Sequence, residues 1–228
     1  MEGERLLKTD RKTYIEYRAA ETYRKTVLFV ISVFLFVSAC IAGYTLLYIT
    51  SFENRHTSHY ELYRDQWMKG CAGWLTIDGT NIDYPVMQGK DNFRYLGINP
   101  LGQSDSAGSI FMDSACDPMA KDSYTLIYGH HMDGNVMFGS LPKFADAKYL
   151  ASHRTGTYKT SDRKAHKFRI LFCSSILATD GLYDVRSCSI RNWIKKKGQT
   201  AGPGHILVFS TCMDTVSLKR VAVFAQFV

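Results

Sequence analysis

The sequence has no Cys-x-x-Cys pair, no internal repeat and no low-complexity tract. The first absence leaves a zinc site or thioredoxin-like chemistry without support, because both rest on closely spaced thiols. The six cysteines are Cys40, Cys71, Cys116, Cys173, Cys188 and Cys212. Cys40 lies in an apolar segment, and the other five are an odd number. At least one of those five thiols therefore stays outside any intramolecular disulfide.

The 228-residue chain also lacks a clustered basic patch, a nucleic-acid-binding module and an acidic cluster typical of calcium activation, although its formal net charge is +7. We therefore expect no nucleic-acid partner, no metal and no cofactor, although loop carboxylates such as Asp113 and Asp117 leave calcium dependence open. We interpret the basic charge as a surface that faces an anionic membrane or cell wall. Hydrophobic residues make up 46% of the chain and charged residues 21%. This composition is typical of a globular domain and argues against disorder.

Charge is missing from one long run, residues 26–52. About 20 apolar residues span a bilayer, so the run is long enough to cross it. The 25 residues before it carry seven Lys or Arg residues, whereas the 15 residues after Thr50 carry two. The positive-inside rule therefore predicts a single-pass protein of the cell membrane, with a cytoplasmic tail at 1–25, an anchor at 26–52 and an extracellular domain.

Two alternatives for this segment fit less well. A cleaved signal peptide has an apolar core of about 7–15 residues, which is shorter than this run. Val37–Cys40 resembles a lipobox, which would make Cys40 a lipidated terminus, but the apolar run continues to Ile49, where a lipoprotein would turn polar. The length favours a signal anchor.

The rest of the chain divides into a linker at 53–71 and a domain at 72–228. Apolar residues at helical spacing predict an amphipathic helix over 53–70. The domain has short strand candidates and turn signals such as Asp78-Gly79, and one short helix is predicted at Ser187–Lys197. The strand candidates are residues 74–77, 81–86, 108–112, 124–128, 156–158, 167–173, 206–211 and 221–228. This pattern predicts a mainly β domain, either a barrel or a sandwich.

Three residues suggest thiol chemistry. Cys212 and His130 both follow apolar strands, and a thiol needs a cationic neighbour to become a good thiolate at neutral pH. The imidazole can pair with that thiolate and later protonate a leaving amine. Arg220 would begin the antiparallel neighbour of the Cys212 strand and could donate to an oxyanion.

Taken singly, each of these residues has a structural alternative. A lone cysteine is most often a small buried apolar residue, and this is the expectation for Cys71, Cys116, Cys173 and Cys188. A lone histidine is usually structural, and an arginine at a strand start is usually solvated. Spacing alone leaves the catalytic and the structural interpretations open.

The motifs resemble those of the sortase family. Two segments resemble its catalytic signatures: Ile127–Met132, and Phe209–Cys212 followed by Lys219–Val223. Three more resemble class B sortases in particular: Gly73–Ile77, Gly79–Val86 and Gly108–Asp113. The likeness covers roughly residues 55–228, in the order that the family shows.

The resemblance implies a closed eight-stranded barrel, with N-terminal helices and a helix before the cysteine strand. It implies that Cys212 is the nucleophile, His130 the general acid and base, and Arg220 the group that stabilises the oxyanion or positions substrate. Ser210, Thr211 and His131 are expected to bind substrate or to shape its groove, and Tyr128 and Asp113 are expected to be structural.

The implied reaction is that of a cysteine transpeptidase of Gram-positive bacteria. Such an enzyme cleaves the C-terminal sorting signal of a surface protein, forms a thioacyl enzyme and passes the acyl group to an amine of a lipid II-type cell-wall precursor. In one variant the acceptor is a pilin lysine. Two alternative functions are a cysteine hydrolase of wall peptides and a non-catalytic binding domain.

The sequence departs from the family pattern in two places. Val208-Phe209 replace the Thr-Leu that usually opens the cysteine motif, which affects local packing more than chemistry. The stretch from Asp180 to Cys212 is short for class B.

Overall fold

The computed structural model describes residues 2–61, 63–64, 67–212 and 218–228. The chain divides into two compact units, residues 1–51 and 52–228.

The N-terminal unit is helical. Helix α1 spans Glu2–Glu61, and its stretch Thr13–Tyr48 is long and apolar enough to cross a membrane, by length and composition. Its large apolar side chains are exposed, as Phe29, Phe36 and Leu47 illustrate. Side chains of this kind are stable in hydrocarbon and costly in water, which makes the stretch a candidate membrane span.

The amphipathic helix predicted over 53–70 is shorter in the structure. Helix α1 ends at Glu61, where Tyr60 is buried with its ring centroid 6.4 Å from that of Tyr84. The N–H of Tyr63 donates to the Tyr60 carbonyl, which tightens the chain into a turn. Residues 67–70 lie outside any helix, and Gly70, with a φ of +87°, leads the chain into the first strand.

The second unit is a β-barrel. The described residues form eight strands, β1 (Cys71–Ile77), β2 (Asp83–Gln88), β3 (Ile110–Met112), β4 (Tyr124–Tyr128), β5 (Thr155–Lys159), β6 (Ala165–Leu177), β7 (Ile206–Cys212) and β8 (Lys219–Phe227). They close in the order β1-β2-β3-β4-β7-β8-β6-β5. The pairs β2–β3 and β4–β7 are parallel, and the other pairs are antiparallel. The mainly β domain is confirmed, and so is the closed eight-stranded barrel that the family resemblance implied.

The barrel closes around a core of large side chains. Strands β1 and β2 form the hairpin that Asp78-Gly79 predicted, with Leu75 opposite Tyr84 and a positive φ of 74° at Gly79. The largest fully buried side chains include Trp74, Tyr84, Tyr124, Tyr158, Phe168, Phe209 and Phe224. A closed barrel leaves no strand edge unpaired, and these aromatic rings belong to the buried core that packs against its wall.

Two short helices lie outside the barrel wall. Helix α2 (Ala147–Ser152) is capped at its N-terminus by Asp146, whose carboxylate accepts from the N–H of Tyr149. Helix α3 (Ile190–Lys196) confirms the helix predicted at Ser187–Lys197, and its Trp193 stacks on Phe224 with ring centroids 5.0 Å apart. The remaining helical segments are single 3-10 turns at Arg94–Leu96, Asp133–Asn135, Leu141–Ala145 and Gly181–Tyr183.

The barrel should lose stability in mild acid because of His205. Burial lowers the pKa of its imidazole to about 4, and its Nε2 lies 2.8 Å from the Thr125 hydroxyl. An unfolded histidine has a pKa of about 6.5, so between these values only the unfolded chain takes up the proton. As the pH is lowered through this window, the free energy of unfolding is therefore expected to decrease, by up to about 1.4 kcal/mol per pH unit.

Urea unfolding of residues 52–228 near pH 7 and near pH 5 checks this expectation. The variant His205→Gln removes the titrating group and should show a shallower loss of stability on acidification than the native protein. Equal pH dependence in the two proteins would contradict the assignment.

Candidate active site

The parallel pairing of β4 with β7 brings the His130 and Cys212 backbones to one edge of the barrel. Tyr128 lies opposite Ser210, and the N–H of Gly129 donates to the Ser210 carbonyl over 3.2 Å. Parallel strands run in the same direction, so the second residue after this pair is His130 on one strand and Cys212 on the other. The backbones of both residues therefore reach the same edge of the barrel.

The antiparallel pairing of β7 with β8 adds Arg220 to this edge. Arg220 lies directly opposite Cys212 in the register, and directly opposite residues have Cα atoms about 4.5–5.5 Å apart. The prediction that Arg220 begins the antiparallel neighbour of the Cys212 strand is confirmed. The predicted connection Met213–Leu218 falls largely outside the described residues, and only the backbone position of Cys212 is described.

A cavity of about 470 Å³ opens at this edge. Of the described residues, those that line it come from β3, β4, β7, β8 and three loops: Asn92, Phe93, Leu96, Phe111, Tyr128, Gly129, His130, Ala178, Tyr183, Ser210, Thr211 and Arg220. His130, Arg220, Ser210 and Thr211 are thus together, as predicted. The lining is mostly apolar and aromatic with a few polar groups, which is typical of a site for an extended organic ligand.

The orientation of the His130 ring is set by the backbone of a distant loop. The ring Nε2 lies 2.8 Å from the carbonyl oxygen of Leu96. A carbonyl oxygen only accepts, so Nε2 carries a proton, and the neutral imidazole presents its lone pair at Nδ1. The nitrogen that can take up a proton from a substrate or a thiol is therefore Nδ1.

The loop that carries His130 is held on both sides. The N–H of Phe138 donates to the His130 carbonyl over 3.0 Å, and His131 forms an isolated antiparallel bridge with Met137. His131 is not among the described residues that line the cavity, and no hydrogen bond within the described part of the chain reaches its buried Nδ1. Its expected role in substrate binding therefore stays a prediction.

The two hydroxyl side chains at the end of β7 differ in their hydrogen bonding. The Ser210 hydroxyl lies 2.8 Å from the Tyr183 hydroxyl, so it already has a polar partner. Thr211 is only 2% exposed, and within the described part of the chain its hydroxyl has no hydrogen-bond partner. A polar atom buried without a partner costs free energy, so a ligand group that bonds to Thr211 would bind more tightly.

The other thiols of this unit are poor nucleophiles. Burial raises the pKa of Cys71 and of Cys173 to about 11, that of Cys116 to about 12, and also that of Cys188. All four are free thiols. Because the thiolate is the reactive form, these four cysteines stay protonated and inert at neutral pH. The expectation that they are buried holds for Cys116, whereas Cys71, Cys173 and Cys188 are only partly buried.

Several residues of this edge escaped sequence analysis. Phe93 and Leu96 come from the loop between β2 and β3, and Tyr183 comes from the 3-10 turn after β6. Leu96 contacts His130 through a backbone carbonyl, a group that every residue has, so no sequence signal marks it. The one sequence feature that could have drawn attention is Phe93, a large apolar side chain within the otherwise polar stretch 89–94.

Within the described part of the chain, no group of three or more His, Cys, Asp or Glu side chains is arranged to hold a metal ion. The fold and the site define a class of protein: a closed eight-stranded barrel with a cysteine, a histidine and an arginine at one edge of β4, β7 and β8. A model of the sortase domain matches residues 75–228, and the chain belongs to the sortase family.

The relatives that match place it in class B. The sortase B of Staphylococcus aureus is 26% identical over 90% of this chain and 98% of its own length. The sortase B of Listeria monocytogenes is 44% identical over 92 residues, and the chain spans 37% of the length of that relative. A crystal structure of a Streptococcus pyogenes class B sortase superposes with a TM-score of 0.65 and 31% identity, covering 74% of this chain and 100% of that one.

The turn at Gly129 is expected to tolerate no side chain. A Cβ atom there would lie 2.7 Å from Phe138 Cδ2 and closer still to Ile110 Cδ1. Gly129→Ala should therefore destabilise the barrel by about 1–3 kcal/mol, as overpacking does, and should lower activity by displacing His130. Urea unfolding and steady-state kinetics measure the two effects.

The matched control is Gly181→Ala, because a Cβ atom at Gly181 meets nothing within 4 Å. This variant should keep native stability and activity. If Gly129→Ala behaves like the control, the close packing of the turn does not constrain His130.

Proposed function

We propose that this class B sortase is a membrane-anchored cysteine transpeptidase that uses Cys212, His130 and Arg220. The observation that carries the proposal is the register of β7, which sets Cys212 beside the His130 strand on one side and opposite Arg220 on the other. The raised pKa values of the other four thiols in the unit leave Cys212 as the candidate nucleophile.

In the proposed mechanism, the Cys212 thiol gives its proton to Nδ1 of His130, because Nε2 already donates to Leu96. The thiolate attacks the carbonyl carbon of the scissile peptide bond in a sorting signal. The C–N bond then breaks, and the proton on Nδ1 passes to the leaving amine. The guanidinium of Arg220 donates to the oxyanion that forms between these steps.

The thioester is resolved by a second amine. His130 Nδ1 accepts a proton from the acceptor amine as it attacks the thioester carbonyl, and the Cys212 thiolate leaves as a new amide bond forms. We infer a lipid II-type wall precursor as the acceptor and surface proteins with a C-terminal sorting signal as the donors. These partners are what membership of class B implies.

A pilin lysine is a second candidate acceptor. The Streptococcus pyogenes class B sortase that matches this fold is described as involved in pilus biogenesis, and it is 31% identical to this chain. A hydrolase would instead take a wall peptide as acyl donor and water as acceptor. The donor half of the reaction is the same for the two transpeptidase variants, which differ only in the acceptor amine.

The proposed location follows from the candidate membrane span and the charge that precedes it. Seven Lys or Arg residues lie in the first 25 residues. We propose that residues 1–25 are cytoplasmic, 26–52 anchor the chain, 53–71 link the anchor to the domain, and 72–228 form an extracellular catalytic domain. Substrates and wall precursors that emerge at the outer face would then reach the site.

Intact-mass spectrometry with sorting-signal peptides tests the nucleophile. The chain should gain the mass of the N-terminal acyl fragment, and Cys212→Ala should gain none. Adding a peptidoglycan-type amine or a pilin-type lysine should discharge the adduct, and the preferred amine identifies the acceptor. Absence of an adduct with every peptide, while a thiol reagent still labels Cys212, would refute the proposal.

Arg220→Lys tests the third residue. Lysine keeps the charge but loses the planar fork of donors, so kcat is expected to fall by about 10²–10³-fold while the protein stays folded. Steady-state kinetics of the native chain and the variant give this ratio. Native kcat in the variant would show that a point charge suffices and that Arg220 does not bind the oxyanion as proposed.

A further inference from the structure

One buried carboxylate joins the two segments that determine where the His130 ring lies. Asp113 follows β3 and is only 3% exposed. Its Oδ2 accepts from the Tyr128 hydroxyl and from the Asn92 side-chain amide, each over 2.8 Å. Its Oδ1 accepts from the N–H of Ala115, also over 2.8 Å. The whole carboxylate is therefore engaged, although Asp113 does not line the cavity.

The first of the joined segments is the end of β4. Tyr128 is two residues before His130, and its ring packs against Phe111 with centroids 5.3 Å apart. Burial and the Asp113 carboxylate raise the pKa of the Tyr128 hydroxyl, so it stays protonated as the donor to that carboxylate. The strand end that leads into His130 is thereby tied to Asp113.

The second segment is the loop that presents the Leu96 carbonyl. Asn92 is held at both ends of its amide, because its Oδ1 also accepts from the N–H of Ser114 over 2.7 Å. The chain then turns, with the N–H of Leu96 donating to the Phe93 carbonyl over 3.1 Å. Only three residues thus separate Asn92, which bonds to Asp113, from Leu96, whose carbonyl orients His130 Nε2.

We infer that Asp113 is a positioning residue for His130, because one carboxylate fixes both the strand end that carries the imidazole and the loop whose carbonyl holds its Nε2 proton. Its expected effect on catalysis rests on the proposed function, whereas its effect on the imidazole tautomer does not. This gives Asp113 and Tyr128 a role beyond the structural one expected from the sequence.

The chemistry of the site requires a carboxylate at this position. Three donors converge on Asp113, and an ionised carboxylate accepts all of them. An asparagine has one oxygen and one NH₂ group, so at least one of the three donors would face another donor. A buried donor without an acceptor is costly, and the segment it belongs to is expected to shift.

The test compares Asp113→Asn with the native full-length chain in detergent micelles. Misplacement of a catalytic group by about 1 Å costs up to about 10²-fold in rate, so kcat for acyl transfer should fall at least about tenfold with KM little changed. In chains with ¹⁵N-labelled histidine, the native His130 should give the signal of the Nε2–H tautomer, assigned with His130→Gln. Asp113→Asn should show a mixture of tautomers.

Asp83→Asn is the matched control. One oxygen of Asp83 also accepts from two side chains, Trp74 Nε1 and the Thr76 hydroxyl, each over 2.8 Å, but this group lies on β1 and β2. The Asp83→Asn variant should lose stability without a change in kcat or in the His130 tautomer. Should Asp113→Asn fail to fold, Tyr128→Phe, which removes only one donor, decides the matter by the same two measurements.

Failure of the proposed function and failure of the inference about Asp113 can be told apart. A native chain that transfers no acyl group from any peptide refutes the proposed function, and the tautomer measurement then still tests Asp113. Native kcat and a native His130 signal in Asp113→Asn, or in Tyr128→Phe if the first variant does not fold, would overturn the inference.

Discussion

Strand β7 is hydrogen-bonded along both of its edges, and the geometry of the site depends on that double pairing. Its parallel partner β4 leads to His130, and its antiparallel partner β8 begins near Arg220. A shift of one residue on either side would separate the Cys212 backbone from one of the two. Ile206–Phe209 are fully buried on both faces of the strand, so a slip of one residue would exchange side chains of different shape between two closely packed environments.

The site therefore combines a rigid half with a half made of loops. The barrel strands supply the backbone positions of Cys212 and Arg220, while loops supply the ring orientation of His130 and much of the cavity wall. The loops are themselves held by buried polar contacts, of which the Asp113 carboxylate makes three. Polar networks of this kind fix a conformation only when every member is satisfied.

Much of the barrel could be predicted from residue patterns. Alternating and aromatic-rich segments indicated the eight strands, and Ser187–Lys197 indicated α3, because these signals are local. The amphipathic pattern over 53–70 overestimated the helix, since Tyr60 enters the core and the chain turns toward β1. Helix α2 has only six residues, too few for helical periodicity to be recognised.

The sequence by itself determined which residues could do the chemistry and that an uncharged run long enough to span a bilayer precedes the domain. It also located the strand ends that carry His130, Cys212 and Arg220. Residue patterns left a barrel and a sandwich open, and the resemblance to the sortase family implied the barrel. Only the tertiary structure decided the pairing of β4 with β7 and the hydrogen bonds that Leu96 and Asp113 make near His130. These depend on hydrogen bonds between backbone groups and side chains far apart in the chain, and a local pattern carries no information about which distant segment will meet it.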